Sequence, residues 1–340
     1  MQAETLDRPA ASSLRPRIGF LGTGWIGRHR MQAMLQSGVV EAAGVADPLP
    51  AAAQEACALA PGAAACASLD ELLELRPDGV VIATPSAQHA EQAIRALEAG
   101  AAVFCQKPLG RDASEARAVV DAARANDRLL SVDLSYRHTE AVRRIREVIA
   151  AGERGQVFAA DLAFHNAYGP DKPWFYDKAL SGGGCLIDLG VHLVDLALYL
   201  LDFPAVTSAS GQLYAKGRRL QPGEAAVEDF ATATLELAGG ASVRIACSWN
   251  LHAGCDAVIS AAFHGEDGGL EMRNVDGSFY DFRAARHRGT SSEALADPPD
   301  DWGGRAASDW ARRLAASERF DPSAEQLVVV AETLDRIYGR

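Results

Sequence analysis

The sequence predicts an α/β chain in two parts: a doubly wound parallel sheet, then an α+β unit with an open, mainly antiparallel sheet. Three observations predict it. Up to about residue 133, short apolar runs alternate with stretches of helical spacing. Beyond residue 136, strand-like runs follow one another across glycine-marked turns. The chain has 340 residues, and a single core rarely grows past roughly 250–300 residues.

The apolar runs of the first part are 18–21, 39–46, 79–83, 102–105 and 129–132. They are too short for helices, and most are rich in β-branched residues, as buried strands are. Between them, 26–36, 50–60, 69–75, 87–99 and 113–126 carry apolar residues at helical spacing. Ser68 stands three residues before Glu71, as in a capping box, and Gly100 follows the last periodic residue of its helix. Strand and helix repeated at this pace require a parallel sheet covered on both faces.

The second part opens with a helix over 140–151 and a strand over 157–165, which lead to the apolar segment 185–201. Strands are expected over 207–214, 229–237, 242–249 and 257–263. Residues 283–303, polar and rich in Pro and Gly, are expected to form an excursion loop, and a final helix over 323–338 closes the chain. The implied division is a disordered lead-in over 1–15, a first domain over 16–136 and a second over 137–340.

Composition narrows the function. Hydrophobic residues make up 48% and charged residues 23%, the balance of a soluble globular protein. Acidic residues outnumber basic ones 45 to 33, a net charge of −12, and such a field repels nucleic acid and anionic lipid. The six cysteines at 57, 66, 105, 185, 247 and 255 show no CxxC pair and no ligand spacing, so no metal is expected. Reduced thiols, and no signal-like or membrane-length apolar run, predict a cytoplasmic protein.

Gly22-Thr23-Gly24-Trp25-Ile26-Gly27 follows the first strand and opens the first helix, the context that a dinucleotide-binding GxGxxG requires. Gly22 makes the tight turn, Gly24 admits a pyrophosphate, and Gly27 lets helix and strand pack closely. The pyrophosphate then meets the free N–H groups of the helix N-terminus. Asp47 ends the second strand, 20 residues past Gly27, where an acid bonds the adenine ribose hydroxyls. A 2′-phosphate about 4 Å from that carboxylate would cost roughly 1–4 kcal/mol. NAD is therefore expected over NADP, against the plainer reading of Asp47 as a turn residue before Pro48.

Three further stretches carry a resemblance. They are Ala83-Thr84-Pro85-Ser86-Ala87-Gln88-His89, then Ala99-Gly100 through Cys105-Gln106-Lys107-Pro108, then Gly182-Gly183-Gly184-Cys185-Leu186-Ile187-Asp188 through His192 to Asp195. Together with Tyr136-Arg137 and Gly152 to Val157, they resemble the glucose–fructose oxidoreductase/inositol dehydrogenase/rhizopine catabolism (Gfo/Idh/MocA) family. The resemblance runs from Arg17 to the final helix. It implies a Rossmann domain, an open-sheet C-terminal domain, a substrate cleft between them, and pairing of the second sheets into dimers or tetramers. The last helix is expected to return to the first domain.

The same resemblance implies a site. Oxidising a secondary alcohol requires a base near neutrality and a cation beside the developing alkoxide. His192 is the expected base, Lys107 the expected cation, and Asp188 the group that orients the pair and bonds a substrate hydroxyl. Thr84, Pro85, His89, Gln106 and Lys107 join Gly22, Gly24, Trp25, Ile26, Gly27 and Asp47 on the cofactor side. Tyr136, Arg137, His165, Asn166, Tyr168 and Trp174 fall where contacts to a sugar-like substrate would arise. Gln106 departs from the family's glutamate, which deprives Lys107 of a carboxylate neighbour; Pro108 is expected to fix the turn that aims Lys107.

Two plainer readings compete for the helix. Asp188, His192, Asp195 and Tyr199 could be a solvated stripe, and the first three could hold a metal. For the whole chain, the expectation is an NAD-dependent dehydrogenase of a sugar, cyclitol or sugar derivative. A redox-neutral glycosidase that retains NAD and a non-catalytic NAD-binding sugar sensor are the alternatives.

Overall fold

The computed structural model describes residues 15–152, 155–221 and 223–340. The expected lead-in lies outside the described residues except for Arg15, as do Glu153 and Arg154 of the Gly152–Val157 motif.

The first part is the expected doubly wound sheet. Strands β1 (Arg17–Leu21), β2 (Glu41–Ala46), β3 (Ala64–Cys66), β4 (Gly79–Ile82), β5 (Ala102–Cys105) and β6 (Leu130–Val132) are all parallel, in the order β3-β2-β1-β4-β5-β6. Between them run α1 (Trp25–Gln36), α2 (Pro50–Leu59), α3 (Leu69–Glu74), α4 (Ser86–Glu98) and α5 (Ala113–Ala125). Ser68 caps α3 as expected, its hydroxyl accepting from Glu71 N at 3.3 Å. Strand order reverses between β1 and β4, so a crevice opens beyond their carboxyl ends, where ligands of such sheets lie.

The second part contains α6 (Glu140–Ala150), β7 (Val157–Asn166), α7 (Lys178–Ser181), a π-helical turn (Leu186–Gly190) and α8 (Val191–Leu200). Strands β8 (Val206–Ala215), β9 (Arg218–Arg219), β10 (Phe230–Leu237), β11 (Ser242–Ser248), β12 (Ala257–Gly265), β13 (Gly269–Asn274), β14 (Phe282–Arg288) and β15 (Ser291–Ala296) follow. With β7 they make a nine-stranded sheet in the order β15-β14-β13-β12-β7-β11-β10-β8-β9. Only β7 and β11 pair in parallel. The helix α8 lies on one face of this sheet and is almost wholly buried, so the solvated-stripe reading of its polar residues fails. The apolar stretch Lys178–Leu200 has the length and composition of a membrane span, yet 89% of its most apolar window lies inside the fold.

The excursion loop expected over 283–303 is a correction. Most of it is β14 and β15, which extend the sheet from β13 to its edge. Phe282 and Ala284 turn inward while Arg283 faces solvent, and the outermost strand is exposed. An edge strand needs polar residues on its open side, and that composition reads as loop. The helix α9 (Arg305–Ala315) was not expected either; its inward stripe is mostly alanine around Trp310. It packs on α1 and β5, with Trp310 against Phe104, while α10 (Glu325–Tyr338) packs on α5, β8 and α8. The final helix thus returns to α5 of the first part, as the resemblance implies.

A buried carboxylate sets the approach to α8. Glu228 Oε1 accepts from Gly184 N at 2.8 Å, Leu186 N at 3.1 Å and the Tyr338 hydroxyl at 2.7 Å. Backbone packs so closely here that a Cβ on Gly184 would lie 1.9 Å from the Glu228 carbonyl oxygen. Glu228→Ala leaves two amides and a phenol without their acceptor, each worth about 1–3 kcal/mol when buried. Urea unfolding is expected to show a loss of about 3 kcal/mol or more; a loss below about 1 kcal/mol would contradict this account.

Candidate active site

The crevice at the end of β1 and β4 carries the cofactor residues. A Cβ on Gly27 would stand 2.1 Å from Gly22 O, so packing alone requires glycine there. A Cβ on Gly24 would meet nothing within 4 Å, so no protein contact demands that glycine; it leaves a cradle beside the N-terminus of α1. No side chain caps that helix, and its first amides are free to bind an anion. Asp47 is braced: Oδ2 accepts from Thr23 N at 2.6 Å, and Oδ1 from Leu49 N at 2.8 Å. It therefore shapes the glycine turn and still presents a negative charge at the end of β2. Arg28, the nearest cation on α1, is paired with Glu55 at 2.5 Å. Trp25 is 64% exposed beside this turn and stacks on His29. These residues fit a dinucleotide.

Lys107 and Asp188 meet across the two parts. Lys107 follows β5, and its Nζ donates to Asp188 Oδ1 at 2.6 Å and to Asp188 O at 2.7 Å. The second carboxylate oxygen of Asp188 accepts from the indole Nε1 of Trp249 at 3.0 Å. The peptide between Lys107 and Pro108 is cis. His89 braces that turn from behind, with Nδ1 at 2.7 Å from Pro108 O and Nε2 at 2.7 Å from Thr84 O. Its ring is buried and both nitrogens are engaged, so in this structure His89 braces the turn that presents Lys107. Burial pushes its pKa down, and the two carbonyls push it back up. Thr84 gives its hydroxyl to Gln92 at 2.6 Å, and Pro85 precedes α4.

His192, one turn past Asp188, lies in an aromatic chamber. Tyr136 meets its ring edge-on with centroids 4.9 Å apart, and Phe164 lies at 6.3 Å. Trp302 and Phe282 complete the wall around Tyr136. Nδ1 of His192 is buried without a partner, which leaves Nε2 as the atom able to meet a substrate hydroxyl. Burial first, then the charges of Lys107 and Arg30, hold its pKa well below the ordinary histidine value. Asp188 has no hydrogen bond to His192, so it orients Lys107 alone, contrary to expectation.

Several expected residues lie elsewhere. Arg137 gives Nε and Nη2 to Asp195, stacks on Tyr199, and lines a separate polar cavity with His138, Asp309 and Arg313. That pairing also withdraws Asp195 from any joint metal site with Asp188 and His192, and among the described residues no metal-binding cluster occurs. His165 faces the other side of the sheet, bonded to Ser248 Oγ at 2.8 Å and stacked on Phe230. Its neighbour Phe164 faces His192, and a strand alternates sides. Asn166 returns to the Phe164 side, with a buried Oδ1 lacking a partner. Trp174 stacks on Phe175 with centroids 3.8 Å apart. Gln106 turns away from Lys107 and donates to Asp133 Oδ2 at 2.7 Å, an oxygen that also accepts from Arg30 Nε at 2.5 Å. The carboxylate expected to be missing beside Lys107 is supplied by Asp188.

Sequence reasoning passed over Trp249, Arg30 and Asp133. Trp249 had one usable signal: a buried indole must place its N–H somewhere. Trp249→Phe keeps a ring against Phe175 and Tyr176 but removes the donor to Asp188. A hydrogen bond to a charged group is worth about 1.5–3 kcal/mol, so turnover is expected to fall roughly 10- to 100-fold. NAD affinity, read by fluorescence titration, should stay within about twofold; unchanged turnover would remove Trp249 from the site.

Residues 16–134 match the family model described as "Oxidoreductase family, NAD-binding Rossmann fold", and residues 142–271 match the GFO/IDH/MocA C-terminal domain. A D-glucoside 3-dehydrogenase of Escherichia coli (strain K12) is 31% identical over 211 residues, 59% of this chain and 60% of that protein. A levoglucosan dehydrogenase of Pseudarthrobacter phenanthrenivorans is 31% identical over 215 residues, 56% of this chain and 54% of that protein. The chain thus matches a little over half the length of these two relatives. An inositol 2-dehydrogenase of Rhizobium meliloti (strain 1021) is 30% identical over 263 residues, 76% of each chain. A solved structure of levoglucosan dehydrogenase with NADH and levoglucosan shares the fold, with a TM-score of 0.81 at 23% identity over 96% of each chain. With both halves matched in order, and a relative aligned over three quarters of its length, the chain belongs to the GFO/IDH/MocA oxidoreductase family.

Proposed function

We propose that the chain is an NAD-dependent oxidoreductase that transfers a hydride between nicotinamide and a secondary hydroxyl or keto carbon of a sugar, cyclitol or sugar derivative. The observation that carries this reading is the Lys107–Asp188 pair at 2.6 Å, beside a buried imidazole with one ring nitrogen left to receive a proton. The relatives' names, a glucoside dehydrogenase and an inositol dehydrogenase among them, support a hydroxylated ring as substrate.

In this reading His192 Nε2 takes the proton of the substrate hydroxyl, and its low pKa keeps it unprotonated and ready to do so. Lys107 donates to the oxygen as negative charge builds on it. Asp188 and Trp249 hold the ammonium group in place. Tyr136 and Phe164 exclude water from the imidazole. NAD, when bound, supplies the hydride acceptor; Gly24, the N-terminus of α1 and Asp47 would hold its pyrophosphate and adenine ribose. The first domain ends near residue 136 and the second follows, with the cleft between. The outer face of the nine-stranded sheet, where Ala163, Ala246 and Ala262 lie half-buried, pairs with a second copy of the chain in a dimer or tetramer. Six free cysteines support a cytoplasmic location.

The test is NADH absorbance after NAD is added to a panel of sugars, inositols and amino sugars. Net NADH is expected with at least one of them. His192 must be neutral to accept a proton, and a lowered pKa keeps it neutral to lower pH. The rate of alcohol oxidation should therefore hold its plateau through pH 6.5 and fall only below it. An acid limb centred at or above 6.5 would contradict the role of His192. The unneutralised charge of Asp47 should give NAD at least a roughly tenfold advantage over NADP in kcat/KM, and a preference for NADP defeats that assignment.

A further inference from the structure

We propose that the segment between β7 and α7 forms a stacking subsite for the second ring of an uncharged glycoside, with Tyr176 as its platform. The substrate is then a sugar already joined to another ring, in place of a free monosaccharide, a sugar phosphate or a nucleotide sugar. This rests on the oxidoreductase reading above and specifies what lies beyond the reacting ring.

The segment exposes two large rings at the lip of the site, Tyr168 at 56% and Tyr176 at 50%, and Leu180 of the adjoining α7 is 41% exposed. Single exposed aromatics are ordinary on a protein surface; several in one short stretch mark a contact surface. The rings are held from behind. Tyr176 lies edge-on to Trp249 with centroids 5.7 Å apart, and its hydroxyl donates to Pro170 O at 3.0 Å. The Tyr168 hydroxyl donates to Asp256 Oδ1 at 2.5 Å. With both phenol oxygens committed, what these residues present outward is a ring face, the surface on which a sugar's C–H face or an aromatic ring stacks.

Position joins this surface to the chemistry. Trp249 touches Tyr176 with its ring and Asp188 with its N–H, so Tyr176 stands one side chain away from the Lys107–Asp188 pair. Asn166, at the strand end where the segment begins, keeps a buried Oδ1 without a donor, an acceptor for a sugar hydroxyl.

Charge selects against anions. Lys172 lies 3.2 Å from Asp171, Lys178 gives its Nζ to Glu224 O at 2.9 Å, and Arg111 is bonded to Glu115. Lys172, Lys178 and Arg111 are thus each engaged, and Asp171, Glu115 and Asp177 balance their charge, so this lip carries no surplus cation. A phosphate here would meet as many carboxylates as cations, and no cluster of Arg or Lys to clamp it.

The experiment takes whichever sugar of the panel yields NADH and compares its free form, methyl glycoside, phenyl glycoside and 6-phosphate. The phenyl glycoside is expected to exceed the methyl glycoside about tenfold in kcat/KM, mostly through KM, and the phosphate to be the poorest. Tyr176→Ala should bring the phenyl-to-methyl ratio close to one, whereas Tyr176→Phe should keep it. A wild-type ratio near one, a ratio that survives Tyr176→Ala, or a preference for the phosphate each overturns the subsite while leaving the oxidoreductase reading intact. No NADH from any compound is the separate result that removes that reading, and the subsite with it.

Discussion

The ion pair between Lys107 and Asp188 is the contact on which the site depends, because its two members come from different halves of the chain. Lys107 leaves the end of β5, and Asp188 sits in the π-helical turn before α8. Their side chains are only 21% and 14% exposed, so neither charge is well solvated. Breaking a partly buried pair is costly, because it strands the remaining charge where water solvates it poorly. The surroundings reflect that cost. Both oxygens of Asp188 have donors, and Lys107 takes the Asp188 carbonyl as a second acceptor. The two halves thus meet at the site in a directional, charged contact, beside the packing of α10 on α5 and of α9 on α1.

A second buried pair explains the electrostatics beside it. Arg30 reaches from α1 to Asp133 at the end of β6, and Gln106 donates to the same carboxylate oxygen. A glutamate at 106 would set two carboxylates within hydrogen-bonding distance of each other, and one of them would have to bind a proton. Glutamine completes the group of one cation, one anion and one amide without surplus charge. The positive charges nearest His192 are then those of Lys107 and Arg30, and they act with burial to keep the imidazole neutral.

What could be read from the sequence was what short-range pattern determines. The glycine turn, the strand–helix alternation and the capping of α3 by Ser68 are local, and local spacing expresses them. Lys107, Asp188 and His192 lie more than 80 residues apart at the extremes, and only the family resemblance grouped them. What could not be read had two causes. Edge position makes β14 and β15 polar, and hence loop-like in composition. Side-chain direction depends on register: Arg137 and His165 were assigned to the site by chain position, and one turned to Asp195 while the other turned through the sheet to Ser248. Trp249 escaped notice because its function lies in one N–H whose acceptor is 61 residues away.

The distribution of unsatisfied atoms connects stability with chemistry. Six buried side-chain atoms among the described residues lack a hydrogen-bond partner, and three of them, on Asp133, Asn166 and His192, lie in or beside the site. A buried polar atom without a partner costs about 1–3 kcal/mol, so such atoms are rare in a well-packed fold. The elements that hold the site are, by contrast, fully bonded: Glu228 saturates the approach to α8, and His89 uses both ring nitrogens. A rigid, satisfied frame can carry a few unsatisfied groups at its centre without loosening. Of the three, Asn166 Oδ1 is the acceptor that the proposed subsite offers to a sugar hydroxyl, so the cost of leaving it unpaired in the fold is returned on binding.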